Sequence, residues 1–284
     1  MITKAQTFGL VTPAVLLLIA TGVFPLALVF YYSTHESFGS QFFFVGTQWY
    51  RQALLLSDFP SNVMRSLMFS CLALAIEMPL GLWVALRLPR EGKVASVLVV
   101  LMVLPLLMPN IVVGYLFKAL SLPGVGLYTR IASVVGLNLD LTNITSAWFL
   151  LIFMDCWHWT SLVVLFAYAG LKAIPNEYYF AASIDGATAW GTFRYVQWPN
   201  LKLMLGIAAI LRFMDSFMIY AEPLVTTHGG PGTATSFVAR AFFQTKKTQF
   251  ELGYGAAVSV FSFAVVVIFA LLLFRLMMRQ ERKA

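Results

Sequence analysis

The sequence predicts an all-α integral membrane protein, a bundle of six transmembrane helices, and three observations predict it. Sixty per cent of the 284 residues are apolar and 11% are charged, whereas an ordinary soluble domain carries roughly a quarter charged residues; mean hydropathy is +0.82. The apolar residues fall into six blocks, each close to the ~20 residues a helix needs to cross about 30 Å of hydrocarbon. The basic residues behind the formal net charge of +7 lie scattered between those blocks, not gathered in a patch with interleaved aromatics, which argues against nucleic acid as a partner.

The blocks run from about 8 to 31, 66 to 86, 95 to 118, 147 to 170, 203 to 224 and 254 to 275. Backbone groups in lipid must be paired within the segment, so each is a helix, and residues 1–284 read as a single transmembrane domain. The first block resembles a secretory signal in position, but it is long, follows only Lys4, and lacks a small-x-small cleavage site; it reads as a retained span. Cys71 and Cys156 sit inside apolar blocks, which leaves neither a disulfide framework nor a CxxC metal site and assigns both to packing.

Orientation follows from basic residues. With the N-terminus inside, the inner segments carry Lys4, Arg87, Arg90, Lys93, Lys172, Arg194, Lys202, Arg275, Arg279, Arg282 and Lys283, and the outer ones Arg51, Arg65, Lys118, Arg130, Arg240, Lys246 and Lys247. The excess predicts both termini in the cytoplasm, and with them the polar stretch 172–202.

That stretch predicts a helical hairpin. Pro175 suits a first helical turn, Gly186 after Asp185 suits a left-handed stop near 184, and a second helix begins near Ala187 and ends at Pro199. Its crest carries Ala181, Ala182 and Gly186, small enough for another protein to approach the backbone. The alternative is an amphipathic hairpin lying on headgroups, anchored by Tyr178, Tyr179, Trp190 and Trp198.

The spacing Ala181-Ala182, three residues, Gly186, nine residues, Val196-Gln197-Trp198-Pro199 resembles the Glu-Ala-Ala loop of permeases from binding-protein-dependent ABC importers. Ile174-Pro175, Asp185-Gly186-Ala187, the stretch Thr227-His228-Gly229-Gly230-Pro231 with Thr235, and Gly253-Tyr254-Gly255-Ala256-Ala257 are similar to the carbohydrate-uptake branch. The resemblance implies a six-helix type I importer permease with a cytoplasmic coupling hairpin, in which Phe180, Ala181, Ala182, Asp185, Gly186 and Pro199 occupy the ATPase-coupling loop. Two positions depart from the family pattern: Phe180 replaces the leading Glu, so a charged contact there does not carry over, and Trp198 replaces the usual Leu. The resemblance also implies the partners: a second, different permease subunit, two ATPase subunits and an extracytoplasmic solute-binding protein, in a bacterial inner membrane. No Gly-x4-Gly-Lys-Ser/Thr loop occurs in the sequence, so ATP and Mg are expected on the ATPase subunits and no cofactor on this chain.

Charged residues inside spans face a partner or a wet cavity, since one at mid-bilayer costs about 2.5–3.5 kcal/mol on insertion scales. Arg212, Asp215, Ile219 and Glu222 are spaced to share a stripe on the fifth span. Either Arg212 and Asp215 neutralise each other or the stripe lines the substrate pathway; Glu222, near the outer end, is expected to be solvated. In the fourth span, Asp155, His158 and Trp159 project from one face, a trio suited to a hydroxylated ligand or, for the indole, to an interface anchor. Glu77 before Met78-Pro79 and Asn110 after Pro109 are further pathway candidates, or they satisfy backbone groups freed by proline.

None of these forms a catalytic set: the sequence has no HExxH, no Gly-x-Ser-x-Gly and no metal-spaced carboxylates. The rival readings are a proton-coupled carrier using Asp155, Asp215 and Glu77, and a scaffold subunit. The stretch Arg212–Pro223 is similar to permeases for small polyols, glycerol in particular, more than to those for maltose-type oligosaccharides. A sugar or, with Arg212 free, a phosphorylated polyol stays open.

Overall fold

The computed structural model describes residues 4–38, 41–134, 136, 140–240, 242 and 252–281. Lys246, Lys247, Arg282 and Lys283, and the side chains of Lys4 and Arg279, counted above for orientation, lie outside the described residues.

The chain divides into two compact units, residues 1–61 with 241–265 and residues 62–240 with 266–284. In the first, α1 (Lys4–Leu18), a π turn (Ile19–Val23) and α2 (Phe24–Tyr32) form one apolar run, and its window Val11–Tyr32 buries nothing within the chain. A hairpin follows, β1 (His35–Phe38) antiparallel to β2 (Gln41–Phe44) with His35 opposite Phe44, then α3 (Gln48–Leu55). Trp49 Nε1 donates to the His35 carbonyl at 3.0 Å and Tyr50 Oη to Ser33 Oγ at 2.6 Å, holding the hairpin on α3.

The larger unit holds most of α4 (Phe59–Arg87), then α5 (Lys93–Val103), α6 (Asn110–Leu120), α7 (Leu127–Val134) and α8 (Ile144–Lys172). After these come α9 (Asn176–Ile184), α10 (Ala189–Thr192), α11 (Trp198–Phe217) and α12 (Ala221–Thr226); α13 (Leu252–Glu281) closes the chain. Central α8 begins at Asn143, whose side chain accepts from the Thr145 N–H at 2.9 Å, and it packs on α5, α6 and α11. One core joins Ala85, Val163, Val164, Ala167, Leu171, Leu201 and Leu205; a second joins Phe69, Val113, Phe117, Leu150, Leu151, Met154, Ile219 and Phe237. Gly81 lets α4 close on α8, since a Cβ there would sit 2.6 Å from Val163 Cβ.

Among the described residues, five helical runs are long and apolar enough to cross a membrane: Val11–Tyr32, Phe59–Arg87, Ile144–Lys172, Ala189–Thr226 and Leu252–Arg275. The expected third span, 95–118, is instead two shorter helices. Between α5 and α6 lie a 3₁₀ turn (Pro105–Leu107) and extended Met108 and Pro109, because neither proline donates a hydrogen bond and Met108, which precedes Pro109, is driven out of the helical region. The fifth span is interrupted at residues 218–220, where the ring of Pro223 would clash with the carbonyl four residues back and the helix restarts with Pro223 in its first turn. The cysteines also differ from expectation: Cys156 is buried, but Cys71 is exposed on α4 and packs no core.

Candidate functional site

Arg212 lies on the buried side of α11 with no solvent exposure. Its Nε donates to Glu77 Oε2 at 2.6 Å and its Nη2 to Glu77 Oε1 at 3.0 Å, a bidentate fork reaching α4. Nη2 also donates to Asp155 Oδ2 on α8 at 2.6 Å, and Nη1 to Asp215 Oδ2, one turn on along α11, at 2.9 Å. The guanidinium carbon stands 4.8 Å from the centre of the Trp159 ring. A single cation therefore ties three membrane helices together. The side chains of Glu77 and Asp155 are sealed at 0% and 1% exposure, while that of Asp215 is 40% exposed.

This network corrects the simpler picture of an Arg212–Asp215 pair neutralising itself, and Glu77 serves Arg212 instead of backbone groups near Pro79. The Asp155, His158 and Trp159 face is divided among partners: Asp155 and Trp159 meet Arg212, while His158 Nε2 lies 3.1 Å from the Met108 carbonyl at the α5–α6 break. Asn110 opens α6 and is half-buried, outside the network. Glu222 is not solvated. With the helix broken ahead of it, it lies on α12 at 2% exposure, its backbone against Gly114 of α6 and its Oε2 without a partner among the described residues.

The hairpin forms as expected at its crest. After α9, Gly186 takes φ +65°, the Gly186 N–H donates to the Ser183 carbonyl at 3.1 Å and the Ala187 N–H to the Ala182 carbonyl at 2.9 Å, the paired bonds of a Schellman stop. Thr188 caps α10, accepting from the Gly191 N–H at 3.2 Å. Pro199 does not end the second helix. A π turn (Phe193–Gln197) precedes it, Pro199 falls in the first turn of α11 where its missing N–H is tolerated, and Asn200 Nδ2 donates to the Val196 carbonyl at 2.7 Å. The hairpin's base is anchored by buried Ile174 and by Tyr179, whose ring centre lies 3.6 Å from the Arg90 guanidinium carbon. Its tip is apolar and open: Phe180 is 66% and Ile184 87% exposed, Ala181 and Gly186 are exposed, and Ala182 is half-buried.

The Thr227–Pro231 stretch is a closed loop. The Thr227 and Thr235 hydroxyls share a hydrogen bond of 2.7 Å, Thr235 Oγ1 donates to the Gly230 carbonyl at 2.7 Å, and Arg240 donates to the His228 carbonyl. Trp148 Nε1 of α8 and Arg65 Nε of α4 donate to the Ala234 and Ser236 carbonyls, each at 3.0 Å, so this motif fixes a loop over two membrane helices.

Residues 77–283 match the family described as binding-protein-dependent transport system inner membrane component. The trehalose/maltose transport system permease protein MalF of Thermococcus litoralis is 30% identical over 266 residues, 92% of this chain and 90% of that one. The arabinooligosaccharides transport system permease protein AraP of Bacillus subtilis is 25% identical, over 96% and 88%. The crystal structure of a bacterial ABC transporter that imports the acidic polysaccharide alginate superposes with a TM-score of 0.79 at 15% identity, over 97% of this chain and 96% of that one, which shows the fold of a type I importer permease. The chain belongs to the binding-protein-dependent transport family: it is a membrane-embedded permease subunit of an ABC importer, and not an enzyme.

Proposed function

We propose that this chain forms one half of the membrane passage of an importer for a di- or oligosaccharide, driven by ATP that two separate ATPase subunits bind with Mg. A second, different permease completes the passage, and an extracytoplasmic solute-binding protein delivers the sugar. Both termini and the hairpin 172–202 lie on the cytoplasmic side of the inner membrane, where Phe180, Ala181, Ala182, Asp185 and Gly186 seat in an ATPase cleft. The observation that carries this reading is the hairpin: a Schellman-closed tip, open and apolar, standing on a base packed into the helix bundle.

The sugar is supported by the two relatives, one named for trehalose and maltose and the other for arabinooligosaccharides. Neither is named for glycerol, so the polyol suggested by the stretch Arg212–Pro223 is the weaker reading. Reconstitution tests the proposal. Proteoliposomes holding the chain, its second permease and the ATPases take up labelled trehalose or maltose only when the binding protein and ATP are both supplied. Uptake without the ATPases that collapses with a proton uncoupler contradicts it.

A further inference from the structure

We infer that the passage through this permease is electrostatically negative at Asp215 and passes neutral glycans while opposing anionic ones, phosphorylated or carboxylated. The inference rests on the importer reading and adds the charge class of its substrate. It starts from the donors of Arg212. A guanidinium has five N–H groups, and carboxylates engage four of them: one on Nε, two on Nη2 and one on Nη1. The fifth offers an anion no fork, and the side chain has no exposed surface. Arg212 is therefore closed to phosphate or uronate, and among the described residues it is the only permanent cation paired with these three carboxylates.

What the network shows to the outside is its opposite sign. Asp215 is the member with an exposed side chain, flanked on α11 by exposed Leu211 and Met214, and Met218 at the helix end is also exposed. A carboxylate within a membrane-spanning run is unstable against lipid, so this face meets a wet cavity. Trp159 Nε1 and, on the same turn, His158 Nδ1 are buried as well, and His158 is 1% exposed, so neither they nor Arg212 present a donor to an anion from that face.

A charge-probing experiment reads this directly. In the assembled transporter with Cys71→Ala and Cys156→Ala, a Met218→Cys thiol is reacted with a cationic trimethylammonium and an anionic sulfonate methanethiosulfonate reagent. After division by the same ratio for free cysteine, the cationic reagent is faster by at least about tenfold, the lower range for focused fields in clefts, and Asp215→Asn removes most of that preference. Met214→Cys serves the same purpose if Met218→Cys does not assemble. Equal rates, a preference for the sulfonate, or no reaction with either reagent overturns the inference. ATP-driven sugar uptake separates the claims: a cysteine variant that assembles and transports without charge preference contradicts the inference alone, whereas failure of the unsubstituted chain to assemble with the ATPases contradicts the importer reading.

Discussion

Arg212 shows what a single residue contributes when buried in a membrane bundle. Its three carboxylates come from positions 77, 155 and 215, and removing the cation leaves two of them sealed with no compensating charge. Arg212→Met is predicted to destabilise the solubilised complex by about 3–5 kcal/mol, the cost of breaking a buried pair from one side. Glu77→Gln keeps an acceptor for one N–H and is predicted to cost less. Thermal unfolding followed by size-exclusion fluorescence checks both, and an unchanged melting temperature for Arg212→Met contradicts the clasp. Part of this site was legible in the sequence. A charge in an apolar block demands a partner, and Arg212, Glu77, Asp155 and Asp215 each stand in such a block. The pairing was not legible, because Arg212 and Glu77 are 135 residues apart and helix spacing relates only neighbours on one helix. Glu222 differs from expectation for a related reason: spacing along an unbroken helix places it at a wet end, whereas the break at 218–220 leaves it buried.

At the scale of elements, prolines account for most differences between expected and observed spans. Pro105 and Pro109 divide the third apolar block, and Pro223 marks the restart of the fifth; both blocks were legible by composition, whereas a window of hydropathy is blind to a missing N–H. Pro199 shows the converse, since a proline absorbed by a π turn and a first helical turn stops nothing. Pro199→Ala is accordingly predicted to leave assembly and uptake close to wild type. Close approach between helices is more sensitive. Gly81→Leu forces atoms into the space held by Val163 and is predicted to lower stability by about 1–3 kcal/mol through overpacking. Gly9→Leu, where an added Cβ would meet no atom within 4 Å, is predicted to be silent. Equal melting temperatures for the two variants would contradict the α4–α8 contact. The hairpin was the most legible element, because glycine at 186 and the caps around it are local chemistry.

At the scale of the molecule, the surface leaves long apolar faces uncovered within the described residues. The window Val11–Tyr32 buries none of its residues and Leu252–Arg275 only 17%, so lipid or a second permease must cover their apolar faces. The hairpin tip, by contrast, lies outside the long apolar runs and still shows Phe180 and Ile184 largely bare, a surface suited to an apolar cleft on a soluble partner. The central claim is that this tip couples the passage to the ATPase. Gly186→Trp tests it most directly. A Cβ added there would meet no atom within 4 Å among the described residues, and the left-handed backbone costs a non-glycine residue only about 1–2 kcal/mol, so the variant is expected to insert in the membrane. The account predicts that it reaches the membrane at wild-type level, no longer co-purifies with the ATPase and loses ATP-driven uptake. Wild-type uptake by a membrane-inserted Gly186→Trp chain would contradict it.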